Sequence, residues 1–538
     1  MLRQAALLLI SLAVVRSVTA AIIEVPRDSS TLQAALDASQ PGDTILVAPG
    51  TYRERIRLKA GVILRSVGNA SSGADGLARA EVTIIDGGGD GVAQAGVLMA
   101  EGSVLDGFTV TNVGMYNESI WMKHFESNGE DLGDDEGSVQ AEGTTAAISI
   151  RGVSCTVTNC VVHHNGDVGI GILGEVGAST APLITSNIVY RNMGGGIGVA
   201  ERADPVIRDN RCSENLRAGI GCRNADPIIA NNLCFQNIRA GIGCREGSRP
   251  VMRGNKCYRN RRAGIGIRME GTEPIVEHNE CYENEMAGIG CRNGARPILR
   301  NNVCRDNKMA GIGCQQGAKP LIVGNESRNN AMAGIGLEGK SSALIDGNTC
   351  IDNKLVAIGV TGESSATIID NTLSRTGGGA PPLVAVKDGS TATLADNHIT
   401  GGGVAAVLVQ GNASIGGNTF TGLGNKQGNA VWVREDSMVT ISDNSFSGYR
   451  TAINAKKASV AITSNSVKEF QGTAIKLTEI RTPVLVYGNT AISSDPNAKA
   501  VELQGSPGST QSDSSRSAVI ELNVMKHEPS IGENRDSQ

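Results

Sequence analysis

Residues 227–245 read Pro-Ile-Ile-Ala-Asn-Asn-Leu-Cys-Phe-Gln-Asn-Ile-Arg-Ala-Gly-Ile-Gly-Cys-Arg, and variants of this unit recur along the chain. The isoleucines of its Gly-Ile-Gly triplet lie 22 to 27 residues apart, at Ile170, Ile197, Ile220, Ile242, Ile265, Ile289, Ile312 and Ile335. Two asparagines, five residues apart, recur with the triplet, as in Asn232 and Asn237. A fixed period of this length indicates a repeat architecture, in which each unit packs only on its neighbours.

The unit contains short apolar stretches separated by Gly and Asn, which favours strands over helices. Alternation within Ala218-Gly-Ile-Gly-Cys predicts that Ala218, Ile220 and Cys222 point to the same side of a half-buried strand. Asparagine tolerates left-handed backbone angles, so it suits the corners, and stacked amides can bond between repeats. These features predict an all-β protein, a right-handed parallel β-helix.

The asparagine pattern extends in looser form from Asn112 to Asn489, which predicts roughly 16 or more coils and a stack about 75 Å long. Residues 30–38 combine a Ser cap with apolar residues at helical spacing, and therefore predict a short helix that covers the first coil. We expect one β-helix domain over residues 21–505, with an insertion loop at 116–143. The polar composition of residues 506–538 predicts a flexible tail.

Residues 1–20 have the pattern of an export signal, with Arg3, a short apolar run and the small residues Val18-Thr-Ala. The mature chain is therefore expected to be secreted, periplasmic or held at the cell surface, with no membrane span. Its net charge of −5 gives no reason to expect nucleic acid as a partner. We expect a monomer.

Two motifs near the N-terminus resemble the entry of the pectin-lyase-like β-helix superfamily: Thr31-Leu-Gln-Ala-Ala-Leu-Asp-Ala and Pro41-Gly-Asp-Thr-Ile-Leu-Val-Ala-Pro-Gly-Thr-Tyr. With the Asn-x-Cys repeats, the resemblance covers about residues 22–505. The chain also resembles the carbohydrate-binding and sugar-hydrolase repeat domain of the NosD-like periplasmic proteins. The resemblance implies the fold strongly and an activity only weakly, because its motifs mark coil geometry.

Ten of the twelve cysteines fall in two columns with the parity of buried isoleucines. One column is Cys212, Cys234, Cys257, Cys281, Cys304 and Cys350; the other is Cys222, Cys244, Cys291 and Cys314. We interpret them as small buried hydrophobes, since Ser327 and Ile267 stand at equivalent positions. Bridging between neighbouring coils under oxidising conditions stays open. A line of thiols does not predict a metal tetrad.

Arginines also recur once per coil, on both sides of the triplet. The predicted substrate-binding arginines are Arg217, Arg223, Arg239, Arg245, Arg262, Arg268 and Arg292. Guanidinium groups at regular spacing suit the carboxylates or sulfates of an acidic polymer. The alternative is a solvated face whose charge is compensated by Glu214, Glu246 and Glu283.

The segment 116–143 interrupts the repeat and combines aromatic and acidic residues. Tyr116 and Trp121 are candidates for stacking on sugars, and Asp134, Asp135 and Glu136 for acid/base chemistry or for binding Ca²⁺. A disordered acidic loop is the alternative interpretation. No other cofactor is indicated.

His163 and His164 follow on the next coil, and we expect one to face inward and one outward. An outward histidine near the acidic loop could act as a general base, although two turn residues are the simpler interpretation. The motifs of polygalacturonases and the calcium site of pectate lyases are not recognisable, which leaves the enzyme question open.

The sequence thus supports a secreted β-helix that binds, and in one version cleaves, an acidic polysaccharide. The cleaving version would be a polysaccharide lyase or a glycoside hydrolase. Two alternatives remain: a non-catalytic structural rod at the cell surface, and a NosD-like periplasmic accessory protein.

Overall fold

The computed structural model describes residues 20–69, 76–127, 145–377, 379–387, 389–424, 427–481, 483–505 and 518–527. Its short strands form three parallel sheets, and each coil of the chain contributes one strand to each sheet in turn. The first sheet has 20 strands, so the solenoid has about 20 turns and the expected β-helix is confirmed.

The strands of the first sheet are Ile22–Val25, Thr44–Val47, Ile63–Ser66, Val104–Asp106, Thr156–Thr158, Leu183–Thr185, Val206–Arg208, Ile228–Ala230, Val251–Arg253, Ile275–Glu277, Ile298–Arg300, Leu321–Val323, Ser342–Asp346, Ser365–Ile369, Thr391–Ala395, Asn412–Gly416, Met438–Ser442, Ser459–Thr463, Val484–Tyr487 and Ala518–Glu521.

The strands of the second sheet are Gly50–Tyr52, Thr83–Asp86, Thr109–Thr111, Val161–His163, Ile188–Tyr190, Arg211–Ser213, Leu233–Phe235, Lys256–Tyr258, Glu280–Tyr282, Val303–Arg305, Glu326–Arg328, Thr349–Ile351, Thr372–Arg375, His398–Gly401, Thr419–Thr421, Ser445–Ser447, Ser466–Lys468, Thr490–Ser493 and Val524–His527.

The strands of the third sheet are Ile56–Arg57, Val97–Leu98, Ile148–Arg151, Ile170–Leu173, Ile197–Ala200, Ile220–Arg223, Ile242–Arg245, Ile265–Arg268, Ile289–Arg292, Ile312–Cys314, Ala333–Leu337, Val356–Val360, Val384–Val386, Ala405–Val409, Asn429–Val433, Thr451–Lys456, Thr473–Thr478 and Lys499–Gln504.

Asparagine ladders hold the coils in register. The backbone N–H and Nδ2 of Asn232 donate to Oδ1 of Asn255 at 2.9 and 3.0 Å, and Nδ2 also donates to the carbonyl of Ile207 at 3.0 Å. The left-handed residue of each corner is, however, the one before the ladder asparagine, such as Asn231 (φ 56°) or Gln236 (φ 53°). The expectation that the ladder asparagines take left-handed angles is therefore wrong: their buried side chains bond between coils.

The core runs along the axis and is built from identical neighbours. Ile220 pairs with Ile242, and Cys222 with Cys244, in adjacent strands of the third sheet. All twelve cysteines lie among the described residues, and all are buried thiols. The two predicted cysteine columns are thus confirmed as inward-facing columns.

Three helices accompany the described strands. Helix α1 (Leu32–Ala38) buries Leu32 and Leu36 in the core at the first coil, as the sequence predicts, but its N-cap is Thr31 and not the expected serine. Helices α2 (Ala78–Val82) and α3 (Glu118–Glu126) lie outside the coils. Within the described part of the chain, no helix has the length and apolar character needed to cross a membrane.

The solenoid continues past the domain boundary predicted at 505. Strand Ala518–Glu521 pairs with Val484–Tyr487, and Val524–His527 pairs with Thr490–Ser493. Asn523 accepts hydrogen bonds from Asn489 and so extends the ladder by one step. The tail predicted for 506–538 is therefore wrong for residues 518–527, while the rest of it and residues 1–19 lie outside the described residues.

Candidate functional site: a groove on the third sheet

A groove of about 780 Å³ runs lengthwise along the outer face of the third sheet. It spans ten successive strands, from Ile148–Arg151 to Val356–Val360. At the usual spacing between strands this is a length of about 43 Å. The seven arginines predicted from the sequence all line it: Arg217, Arg223, Arg239, Arg245, Arg262, Arg268 and Arg292.

The floor of the groove consists of glycine and alanine. The glycines are the second glycine of each triplet, which we call the outer glycines: Gly171, Gly198, Gly221, Gly243, Gly266, Gly290, Gly313, Gly336 and Gly359. Alanines such as Ala218 and Ala240 lie beside them. Ala218 therefore does not point inward with Ile220 as predicted, because the chain turns a corner between these two residues.

The first glycine of each triplet, which we call the inner glycine, is required by packing. A Cβ at Gly264 would lie 2.8 Å from the carbonyl oxygen of Gly288 and 2.9 Å from Nδ2 of the ladder residue Asn284. Both atoms belong to the neighbouring coil, and neither can move without breaking its own hydrogen bonds. The inner glycines therefore let the coils close on one another.

Most of the outer glycines are not required by packing, although a Cβ at Gly171 would lie only 2.6 Å from Cβ of Ala146. A Cβ at Gly221 would meet no atom within 4 Å, and one at Gly266 would touch only Cβ of Ala240, at 3.5 Å. Neither residue has a positive φ that would exclude a side chain. Glycine in a strand costs about 0.5–1 kcal/mol relative to alanine, so this column lowers stability without serving the coil. Such a bare stretch of sheet is typical of a place that a ligand approaches closely.

Arginines form both walls of one half of the groove, which we call the arginine half. Arg217, Arg239 and Arg262 precede the floor alanines, while Arg223, Arg245, Arg268 and Arg292 follow the strands. Among the residues that the structure describes, eight arginines, with Arg151 included, line the groove, against the three carboxylates of Asp167, Glu201 and Glu338. The described part of the lining therefore carries a positive net charge, although the whole chain is acidic.

Described glutamates on neighbouring coils pair with two arginines of the groove. Arg223 pairs with Glu201 at 3.3 Å, and Glu246 lies 3.7 Å from Arg223 and 3.3 Å from Arg245. Arg239 is only 3% exposed. Of the other two glutamates expected to neutralise the row, Glu214 binds Arg191 and Glu283 binds Arg259, both on the second sheet.

The other half of the groove, which we call the methionine half, has a different lining. The positions of Arg217, Arg239 and Arg262 are taken over by Met286, Met309, Met332 and Leu355 in the following coils. On the opposite wall, Arg292 is followed by Gln315, Glu338 and Thr361. This half was not predicted from the sequence, although Met286, Met309 and Met332 recur there with the period of the coils.

The described part of the interrupting segment, residues 116–127, contains helix α3, and Trp121 fixes this helix to the coils. Trp121 is fully buried (0% exposed) against Leu216 and Ile238, and its Nε1 donates to the carbonyl of Glu214 at 3.1 Å. Phe125 stacks on its ring and the guanidinium of Arg191 lies 4.4 Å from the ring centroid. The expectation that Trp121 stacks on a sugar is therefore wrong, because its faces are occupied.

His163, His164 and Tyr116 form a second cluster, on the outer corner of the second sheet. The Nδ1 atoms of the two histidines are 2.6 Å apart, His163 stacks on Tyr190, and Tyr116 meets the edge of His164. Both histidines therefore lie on the outside, and the expectation of one inward ring is wrong. His164 has φ 52°, a corner conformation.

Burial sets the protonation of this cluster. It lowers the pKa of His163 to about 4, with a further contribution from His164, and it lowers the pKa of His164 as well. Burial and the Glu118 carboxylate raise the pKa of Tyr116. A histidine with such a pKa is a weak base near neutral pH, and neither histidine lines the groove.

The acidic candidates Asp134, Asp135 and Glu136, and with them the calcium site expected there, lie outside the described residues. Elsewhere, in the part of the chain that the structure describes, no three His, Cys, Asp or Glu side chains are grouped so that they could hold a metal ion. The chemistry that the described groove offers is thus that of guanidinium groups, the carboxylates of Asp167, Glu201 and Glu338, the Gln315 amide, thioethers and bare backbone.

A family model described as the right-handed β-helix region matches residues 137–280, 264–381 and 382–519. The chain belongs to this family. Members of the right-handed β-helix family are defined by their coils, so membership agrees with the three sheets and does not assign a reaction.

Several solved structures resemble this right-handed β-helix. An alginate lyase from Paenibacillus sp. is 15% identical, with 53% of this chain and 95% of the lyase covered and a TM-score of 0.38. A periplasmic alginate epimerase is 14% identical, covering 66% and 83% with a TM-score of 0.42. The pre-mature gene product 12 of bacteriophage phi29 is 11% identical, covering 89% and 70% with a TM-score of 0.42. The likeness is one of fold alone, and no curated protein matches the sequence.

Proposed function

We propose that this protein binds an acidic polysaccharide lengthwise in the groove of the third sheet. The observation that carries the proposal is the column of outer glycines between two rows of arginine. A polymer lying on this floor would meet backbone and alanine methyl groups below it and guanidinium groups on both sides.

The spacing of the arginines supports a polymer rather than a small anion. Arg223 and Arg245 occupy paired positions in adjacent strands, as do Arg268 and Arg292. The charges therefore repeat at about 4.8 Å along the groove, and a chain of uronic acids or sulfated sugars also presents its anions at regular intervals. Arginine can hold each carboxylate or sulfate through two hydrogen bonds.

A structural rod, the main alternative, does not account for the outer glycines. A rod gains stability from alanine or β-branched residues at such strand positions, because they have room for a side chain and cost less backbone entropy. The export signal predicted in residues 1–20 suits a polymer outside the cytoplasm.

The test is binding of polygalacturonate and of a sulfated glycan, with dextran as the neutral comparison, in about 50 mM and about 300 mM salt. We expect the anionic polymers to bind, dextran not to bind, and the higher salt to weaken binding. The triple variant Arg223→Glu, Arg245→Glu, Arg268→Glu should lose at least about tenfold in affinity.

Arg253→Glu is the matched control, because Arg253 is exposed on the first sheet, away from the groove. It should bind like the wild type. Absence of binding to every anionic polymer, or equal binding by the triple variant and the wild type, would overturn the proposal. The formation of unsaturated products, followed by absorbance in the same samples, reports cleavage separately from binding.

A further inference from the structure

The two halves of the groove differ in charge as well as in shape. From Arg223 to Arg292 one wall carries four arginines in successive coils, and the next three positions are Gln315, Glu338 and Thr361. Glu338 accepts a hydrogen bond from Nε2 of Gln315 at 3.1 Å and adds a negative charge. A carboxylate on the ligand is attracted along the first stretch and repelled in the second.

The opposite wall and the floor of the methionine half are apolar. Met332 and Leu355 are 41% and 46% exposed, an arrangement that costs free energy unless a ligand covers them. Ala333, Val356 and Ala385 pack together on this outer face as a small cluster separate from the core, with Ala310 beside them. Methionine side chains are flexible and polarisable, and they adapt to small apolar groups of varied shape.

The methionine wall continues the wall of Arg217, Arg239 and Arg262 from coil to coil. One ligand can therefore lie across both halves of the groove. From Met286 to Leu355 the wall is about 14 Å long, which is room for a few sugars. The polar wall of Gln315 and Thr361 offers partners for sugar hydroxyls, and the methionines offer contacts for apolar substituents.

We infer that the groove selects an acidic polysaccharide in which an uncharged, acyl-substituted block follows the anionic block. The arginine half holds the carboxylates or sulfates, and the methionine half holds the acyl groups of esterified sugars. The inference rests on the proposed function, because it names the part of the same polymer that lies in the second half of the groove.

The experiment compares oligosaccharides that join a uronate block to a neutral, O-acetylated block with the same oligosaccharides after mild alkaline deacetylation, which removes the acetyl esters and leaves the carboxylates of the uronate block. We expect the wild type to bind the acetylated form about tenfold more tightly, as when two or three methyl groups leave water. The double variant Met309→Gln, Met332→Gln should lose that difference and keep its affinity for the deacetylated form.

Two further variants sharpen the test. Met438→Gln is the control, since Met438 is 66% exposed on the first sheet and should change neither affinity. Glu338→Arg extends the arginine row by charge, so it should tighten binding of the deacetylated form about fivefold. Thermal unfolding of each variant checks that the coils are intact.

Equal affinity of the wild type for both forms would overturn the inference and leave the proposed function standing. So would a preference for acetylated sugars that survives in the double methionine variant. Failure to bind either form would instead contradict the proposed function, and the inference with it.

Discussion

The inner and outer glycines of each Gly-Ile-Gly triplet stand two residues apart in sequence, yet their surroundings differ completely. Beside the inner glycine the next coil lies too close for a methyl group, whereas above the outer glycine there is open space. The first is a condition of stacking the coils, and the second keeps a surface clear. A glycine that recurs in every repeat can therefore be required for the fold at one position and for binding at another position two residues away.

The largest effect that tests this comparison is on stability. Gly264→Ala should destabilise the protein by about 2–3 kcal/mol, because its Cβ would overlap the backbone and the asparagine ladder of the next coil. Thermal unfolding followed by circular dichroism measures the change. An unfolding temperature equal to that of the wild type would show that the coils can separate to admit a methyl group.

His163, at the outer corner of the second sheet, lies between these two cases, because it is outside the core and yet largely buried. The pKa of His163 lies near 4 in the folded protein and near 6.5 in the unfolded chain, so the unfolded chain binds more protons between these values. The contribution of His163 to the free energy of unfolding is therefore fully present above about pH 6.5 and is lost as the pH falls toward 4. The loss is about 1–2 kcal/mol after allowance for partial exposure.

His163→Gln isolates this contribution from the carboxylates that titrate in the same range. The variant should lose less of its unfolding temperature between pH 7 and pH 4 than the wild type does. An identical loss in both proteins would mean that His163 is as accessible to protons in the fold as in the unfolded chain.

The outer glycines themselves should show an effect on binding. A valine at Gly243 and at Gly266 would place two branched side chains on the groove floor, where they displace the polymer. We expect about a tenfold loss of affinity for polygalacturonate, measured by titration calorimetry, with little change in unfolding temperature. Unchanged affinity would show that the polymer does not contact this floor.

The smallest effect has the opposite sign. Gly266→Ala should stabilise the protein by about 0.5–1 kcal/mol, because the methyl group has room and the unfolded chain loses freedom. Denaturant unfolding of this variant beside Gly264→Ala gives the comparison within a single Gly-Ile-Gly triplet. A destabilised Gly266→Ala variant would contradict the distinction between the two columns.

Much of the fold follows from the sequence, because the residues that bond between coils recur at fixed spacing. Asn232, Asn237 and Ile242 each contact an equivalent residue one coil away, so their period directly reflects three-dimensional neighbours. The arginine rows were found for the same reason. The strands at 518–527 were missed because a polar stretch separates them from the regular repeat.

The details of the site depend on geometry that the period does not contain. The corner between Ala218 and Ile220 breaks the alternation of a strand. The sequence pattern therefore placed Ala218 in the core, whereas its side chain lines the floor of the groove. Trp121 packs against Leu216 and Ile238, roughly a hundred residues away, and nothing local indicates that it is buried. Both histidines lie outside because the corner conformation of His164 reverses its expected direction.

The asparagine ladders have a consequence for how such a groove can change length. Since every ladder step joins equivalent residues of successive coils, whole coils can be gained or lost while each remaining amide still meets its like. Duplication or deletion of one coil would therefore lengthen or shorten the groove by about 4.8 Å, the spacing between strands. The length of the proposed polymer that the groove holds would change by the same step.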